Sequence, residues 1–225
     1  MKAMILAAGE GRRMRPLTEA TPKPLLQVGG LALIERHLIA LKQGGFEEVV
    51  VNAAYLSSQL VDFCGDGSQW GLRLQMSVES VPLETAGGII NALPHLADAP
   101  FAVINGDIWC DYPLDRLKAT ELGEASAHLV LVRNPPQHPT GDFSLDSRGL
   151  VQAAVDSATF TFSGIAIYHP RLFQGLEAGV RPLKPVLDTA ISAGQVSGEV
   201  WAGQWEDVGT PERLALLKEK LAAER

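Results

Sequence analysis

The sequence predicts an α/β domain in which a mostly parallel sheet is covered by helices on both faces, a three-layer sandwich. Three observations predict it. Apolar runs of strand length alternate with segments of helical period through the first half of the chain. Several of those runs ("KAMILAA", "EEVVVNA", "FAVIN") are apolar on both faces, as strands of a sheet buried under helices must be. A glycine-rich turn follows the first run at once, at the edge where open α/β sheets bind ligands.

In chain order, "KAMILAA" is the first buried strand. "LALIERHLIALKQGG" repeats apolar residues at Leu33, Ile34, Leu38 and Leu41 and stops at Gly44-Gly45, an amphipathic helix with a glycine end. "EEVVVNA" is a second buried strand, "LSSQLVDFC" a short helix and "LRLQMSVE" a strand with partial alternation. "TAGGIINALPHL" reads as a helix despite its glycines, and "FAVIN" as another buried strand. The second half is less regular. Strands are expected at "AHLVLVRNP", "GLVQAAV", "FTFSGIAIY" and "SGEVWAG", a helix at "KPVLDTAISAG", and a loop at Pro135, Pro136 and Pro139. In "TPERLALLKEKLAAE", Thr210 is the N-cap and Pro211 the first helical residue, followed by Leu214, Leu217 and Leu221. No repeat, low-complexity tract or linker divides the 225 residues, so one domain is expected.

The formal charge of −7 argues against a nucleic-acid partner, which a basic face would serve. Cys64 and Cys110 show neither CxxC nor metal-ligand spacing and read as small core residues. The apolar start, Met4 to Ala8, is too short for a signal peptide, and no run approaches the roughly 20 apolar residues of a membrane span. A cytoplasmic protein without a membrane partner is the expectation.

Against this acidic background Arg12, Arg13 and Arg15 crowd one turn beside Gly9 and Gly11, in "LAAGEGRRMRPLT". Glycine lets backbone N–H groups approach phosphate oxygens, and the arginines add fixed charge. A Walker loop is absent. A Rossmann fingerprint fails because Met14 holds the third glycine position and Pro16 follows. Lys23 lies beyond Thr18 between Pro22 and Pro24, which limit where its ammonium can point. Asp107 ends "FAVINGD" and Asp207 precedes a turn and a capped helix in "WEDVGTPERL"; two separated carboxylates plus phosphate oxygens suit Mg²⁺. Asp111 and Asp115 are assigned to the loop and to the start of the next helix.

"LAAGEGRRMRPLT", with "TPKPLL" after it, resembles the LxxGxGxRxxPxT signature and following PK pair of the sugar-1-phosphate nucleotidylyltransferases, and the likeness runs from residue 4 to about residue 220. Leu6, Gly9, Gly11, Pro16, Thr18 and Pro22 fall on the pattern. The resemblance implies a Rossmann-like fold of the nucleotide-diphospho-sugar transferase type, with a nucleotide-binding part over about 1–110 and a sugar-binding part over about 111–225. It makes Arg13 and Lys23 catalytic, with Arg13 facing the leaving pyrophosphate. Asp107 and Asp207 become the ligands of Mg²⁺. It assigns Ala8, Gly9, Gly11, Arg12, Arg13, Lys23, Glu79, Glu84 and Gly88 to the nucleotide. Glu79 takes a base-contacting place, and Glu84 to Gly88 form the turn of an LGTAG-like stretch. Asn105, Gly141 and Asp142 are assigned to the sugar. The family's sugar-gripping EKP motif is missing; "VQAAVDSATFTFSGIAIY" stands in its place, with Asp156 or the backbone around Ser163-Gly164 as the substitute grip.

The activity implied is transfer of UMP from UTP to a sugar 1-phosphate, with release of pyrophosphate. "ESVPLETAGGI", "NGDIW" and the missing EKP are most similar to the members that act on N-acetylmuramic acid α-1-phosphate, in cell-wall recycling. Mannose-1-phosphate guanylyltransferases are the alternative, because backbone atoms could read either base. A non-catalytic nucleotide-sugar sensor could do without the arginine, lysine or acids, yet all are present. No hexapeptide repeat suggests β-helix-driven trimers; the oligomeric state stays open, with a monomer sufficient.

Overall fold

Strands buried along nearly their whole length are what this chain pairs in the interior of its central sheet. The structure, a computed structural model, describes residues 1–154 and 158–223. Its elements in chain order are β1 (Ala3–Leu6), β2 (Gln27–Val28), β3 (Leu31–Ala32), α1 (Leu33–Gln43), β4 (Glu48–Ala53), α2 (Ser57–Cys64), β5 (Arg73–Val78), α3 (Glu84–Leu96), β6 (Phe101–Asn105), β7 (Ile108–Cys110), α4 (Leu114–Ala119), β8 (Ala127–Val132), β9 (Phe143–Leu145), β10 (Val151–Ala153), β11 (Thr161–Tyr168), α5 (Lys184–Ser192), β12 (Val196–Trp201), β13 (Trp205–Asp207) and α6 (Pro211–Ala223).

Seven strands form the central sheet in the order β12-β8-β11-β6-β1-β4-β5. Neighbours are parallel except at β11, which runs antiparallel to both β6 and β8. Alternate side chains go to opposite faces. Ala3, Ile5, Val49, Val51 and Ile104 pack under α1, α2 and α4. Met4, Val50, Val103 and Leu129 pack under α3 and α5. That is the three-layer arrangement the sequence predicts. A smaller third cluster joins Met14, Leu26 and Val28 to Val208, Leu214 and Leu217 of the C-terminal region.

Two features differ from the sequence reading. Cys110 is only partly buried, since β7 lies off the main sheet and pairs with β13 instead. The stretch that replaces EKP runs from the whole of β10 to the whole of β11; Asp156, between them, lies outside the described residues. Inside β11 the register against β8 shifts between Phe162 and Ile165. Gly164 sits there at φ +83°, with Asn105 so close that a Cβ would meet its amide at 2.7 Å. Glycine is required at that bulge because the strand must bend around Asn105.

Candidate active site

The turn after β1 is built as a rigid object. Gly11 has φ +62°, and a Cβ there would lie 2.9 Å from the Thr18 methyl. Thr18 is buried and its hydroxyl donates to the Gly11 carbonyl at 2.8 Å. Met14 is fully buried in the third apolar cluster, which explains why it occupies the place of a Rossmann glycine: it anchors a short 3₁₀ turn, Arg12–Met14, instead of opening a long helix. Arg13, next to that anchor, borders two cavities. Arg12 pairs with Glu10 at 2.5 Å, and this hydrogen bond holds the Glu10 carboxyl below its usual range. A Cβ on Gly9 would meet no protein atom within 4 Å, so the open space there faces the cavities.

Lys23 starts a second 3₁₀ turn between its two prolines and is buried. Its Nζ donates to Asp107 Oδ2 at 2.7 Å. Asp107 follows Gly106, whose N–H bonds the Leu6 carbonyl at 2.8 Å; a Cβ on Gly106 would lie 2.7 Å from that oxygen. Close return of the chain against β1 therefore sets Asp107 beside the glycine turn. Asp207 arrives through the β7–β13 ladder, where it stands opposite Ile108, and the Val208 N–H donates to the Asp107 carbonyl at 2.9 Å. The two aspartates, a hundred residues apart, wall one cavity. Arg213 Nη1 donates to Asp207 Oδ2 at 2.6 Å. Each carboxylate thus gives its Oδ2 to a cation of the chain.

Beyond the carboxyl ends of β1, β4 and β6 lies a cavity of about 390 Å³, bordered by Gly9, Lys23, Asn52, Glu84, Asn105 and Asp107 among others. Asn52 is its floor. The Ala7 N–H donates to Asn52 Oδ1 at 2.8 Å, and Asn52 Nδ2 donates to Glu79 Oε1 at 2.7 Å. Glu79 also accepts the Leu83 N–H at 3.0 Å. Burial raises the Glu79 carboxyl above its usual range, and the two donors oppose that. Glu79, expected at a base-contacting place, is buried behind Asn52 and is not among the residues that border the cavity; it braces the floor. Gly88 is likewise behind the floor: a Cβ would lie 2.7 Å from Asn52 Nδ2 and 2.9 Å from Glu79 Oε1. Residues 84–88 are the first turn of α3 rather than a free turn, with Glu84 at φ +63° facing the cavity.

A second cavity of about 260 Å³ lies between β11, β13 and the loop over residues 133–142; Arg13, Asn105, Asp107, His138, Trp205 and Asp207 border it. A third space of about 190 Å³, bordered by Gly9, Gly11, Arg12, Arg13, Lys23 and Asp107, joins the two at the cationic turn. Asn105 belongs to both larger cavities. Gly141 and Asp142, read as sugar contacts, are placed behind the wall. A Cβ on Gly141 would lie 2.6 Å from Asn134 Oδ1, and Asp142 spends its oxygens on His138 and on the Phe162 N–H. They hold the residues that face the cavity. Ser163 borders it directly and its carbonyl accepts from Trp205 Nε1 at 2.8 Å.

Sequence reasoning missed Asn52, His138, Trp205 and Arg213. Asn52 carried a signal, a lone amide inside an apolar strand near its carboxyl end. Arg213 carried none that separates it from an ordinary helix-surface arginine.

Among the described residues no group of three or more His, Cys, Asp or Glu side chains gathers as an all-protein metal cage. A divalent cation that keeps substrate oxygens in its shell needs only a few carboxylates, and the Oδ1 oxygens of Asp107 and Asp207 fit that requirement.

A base-sized and a second cavity that meet at a cationic turn, on the carboxyl edge of a parallel sheet, define an enzyme that handles a nucleotide beside another phosphate-bearing substrate. The chain belongs to the nucleotidyl transferase family, whose profile matches residues 2–224. It is 51% identical over 220 residues to the N-acetylmuramate alpha-1-phosphate uridylyltransferase of Neisseria meningitidis serogroup B, covering 95% of each chain. It is 32% identical over 228 residues to a mannose-1-phosphate guanyltransferase of Aspergillus fumigatus, covering 94% of this chain and 61% of that one. A crystal structure of a putative glucose-1-phosphate thymidylyltransferase from Bacillus anthracis superposes with TM-score 0.87 at 21% identity, over 98% of this chain and 94% of that one, and so shares the fold. No helix among the described residues is long and apolar enough to cross a membrane.

Proposed function

We propose that this nucleotidyltransferase moves UMP from UTP to N-acetylmuramic acid α-1-phosphate, giving the UDP-sugar and pyrophosphate in the cytoplasm as a step of peptidoglycan recycling. The observation that carries the chemistry is that Arg13, Lys23 and Asp107 stand where the two larger cavities meet. The choice of base and sugar rests on the 51% relative, which this chain matches along 95% of both lengths. Residues up to about 110 serve mainly the nucleotide and those from about 111 the sugar, though Val180 also borders the nucleotide cavity.

In this reading the triphosphate lies along Gly9–Arg13 with its base over Asn52, and the sugar occupies the cavity beside Trp205. The sugar phosphate is ionised at neutral pH and needs no general base. Its oxygen attacks the α-phosphorus in line, and the bond to the bridging oxygen of the β-phosphate breaks as pyrophosphate leaves. Arg13 holds the leaving pyrophosphate. Lys23 neutralises the α-phosphate or the incoming phosphate. Asp107 and Asp207 would hold Mg²⁺, which when bound supplies charge neutralisation to the phosphates. The chain's own contribution is to bring two mutually repelling anions together in line and to offset charge at the transition state. A monomer contains every residue invoked.

Pyrophosphate release measured for UTP, GTP, CTP and dTTP against the 1-phosphates of MurNAc, GlcNAc, glucose and mannose tests the reading. Maximal kcat/KM for UTP with MurNAc-1-phosphate is expected. A maximum at GTP with mannose-1-phosphate would keep the mechanism and replace both substrates; silence across the grid would remove the reading.

A further inference from the structure

The second cavity has two chemically different ends. Arg13, Asp107 and Asp207 are at the phosphate end. At the other end, among Pro135, Gln137, Thr161, Phe162 and Trp205, the titratable side chain that borders the cavity among the described residues is His138. MurNAc differs from GlcNAc by a lactyl ether that ends in a carboxylate. A sugar seated with its phosphate at the first end would extend towards the second.

His138 is fixed in place by its neighbours. Its Nε2 lies 3.0 Å from Asp142 Oδ1. Asp142 is itself locked, because its Oδ2 accepts the Phe162 N–H at 2.8 Å. The loop that carries His138 is pinned at several points. Asn134 Nδ2 donates to the Pro139 carbonyl and to Thr159 Oγ1, Thr161 Oγ1 donates to Asn134 Oδ1, and Gly141 turns with φ +61° over that amide. The His138 N–H closes a turn onto the Pro135 carbonyl at 2.9 Å. Yet the ring stays 40% exposed. A half-exposed imidazole fixed by a doubly tied carboxylate keeps one ring nitrogen for something else: with Nε2 donating to Asp142, Nδ1 is the edge that remains.

We infer that His138, braced by Asp142, is the specificity residue that reads the carboxylate on the sugar, through its Nδ1 edge. This rests on the substrate reading above. A ring that bridges two carboxylates donates from both nitrogens, so the contact is a charge-assisted hydrogen bond, and a sugar without the carboxylate would leave it unmade. Asp142 is then a positioning residue, which acts through the imidazole.

The test compares His138→Ala and Asp142→Asn with the wild type, using UTP with MurNAc-1-phosphate and with GlcNAc-1-phosphate, and thermal melting as a check on folding. Charge-assisted contacts of this kind are expected to be worth about tenfold or more, so His138→Ala should raise KM for MurNAc-1-phosphate by that factor. kcat/KM with GlcNAc-1-phosphate and KM for UTP should stay within about twofold, because those reactions never use the contact. Asp142→Asn should give a smaller loss with the same sugar preference. Equal loss on both sugars would make the pair merely structural and overturn the inference, as would no loss on either. A wild type that ignores MurNAc-1-phosphate would overturn the substrate reading as well, and so is told apart from failure of the histidine alone.

Discussion

Gly88→Ala puts one methyl group where the 390 Å³ cavity is braced from behind. Gly88 is helical, without a positive φ, so the backbone accepts alanine, and helix propensity alone would stabilise the variant by about 0.5–1 kcal/mol. The added Cβ would lie 2.7 Å from Asn52 Nδ2 and 2.9 Å from Glu79 Oε1, inside van der Waals contact with both. Asn52 and Glu79 are both buried, so neither can swing into water. Their hydrogen bond must break or stretch, and a bond to a charged group contributes about 1.5–3 kcal/mol. The contact term outweighs propensity, leaving a net loss of about 1–2 kcal/mol. For a chain of this size that lowers Tm by roughly 2–8 °C. Asn52 also fixes the Ala7 N–H, so the cavity floor moves with it. KM for UTP should rise roughly three- to tenfold while KM for the sugar phosphate holds. Calorimetry and steady-state kinetics read both effects. A variant that melts at or above the wild-type Tm would refute the reasoning, because propensity would then have won.

Three further outcomes are expected. Arg13→Ala should lose about 2–4 kcal/mol in kcat/KM, as removal of one preorganised donor does; near wild-type kcat/KM would end its assignment to pyrophosphate. Arg213→Ala leaves Asp207 without its 2.6 Å partner, and by analogy with groups that orient metal ligands should cost roughly 10–100-fold in the Mg²⁺ concentration needed for half-activity; an unmoved magnesium titration counts against it. Burial, with a smaller contribution from Arg116, pushes His128 down from 6.5 to about 4. Its Nδ1 is bonded to Ser197 Oγ, and Glu199 nearby is taken up by Tyr112 and Arg116. Between those two values the unfolded chain binds a proton that the folded chain refuses, so stability falls as pH drops, by up to about 1.4 kcal/mol per pH unit. His128→Gln should flatten that slope in urea melts between pH 6.5 and 5, and an unchanged slope would show that other groups carry it.

How much of this was legible follows from what each signal depends on. β1, β4, β6 and α1 were readable because burial on both faces, or on one stripe, writes itself into local periodicity. The reversed direction of β11 was not, since a strand apolar on both faces reads alike in either direction. The β7–β13 ladder depends on pairing across a hundred residues, which no local window contains. The same division runs through the site. Gly11, Thr18, Arg13 and Lys23 sit on one short stretch whose spacing is the signal. Glu79 and Asp142 looked like ligand contacts because a carboxylate near a site resembles one. Only three-dimensional placement shows that their oxygens are already spent on Asn52, Leu83, His138 and Phe162.

The small apolar cluster around Met14 gives the protein a temporal order. The turn that carries Arg12 and Arg13 is synthesised early, but the side chains that clamp its anchor, Val208, Leu214 and Leu217, come near the other end of the described chain. During translation the sheet can begin to assemble while that turn has nothing to rest on. A ribosome stalled before Pro211 would therefore hold a chain with its strands made but without Leu214 and Leu217 to pack beneath the turn that carries Arg12 and Arg13.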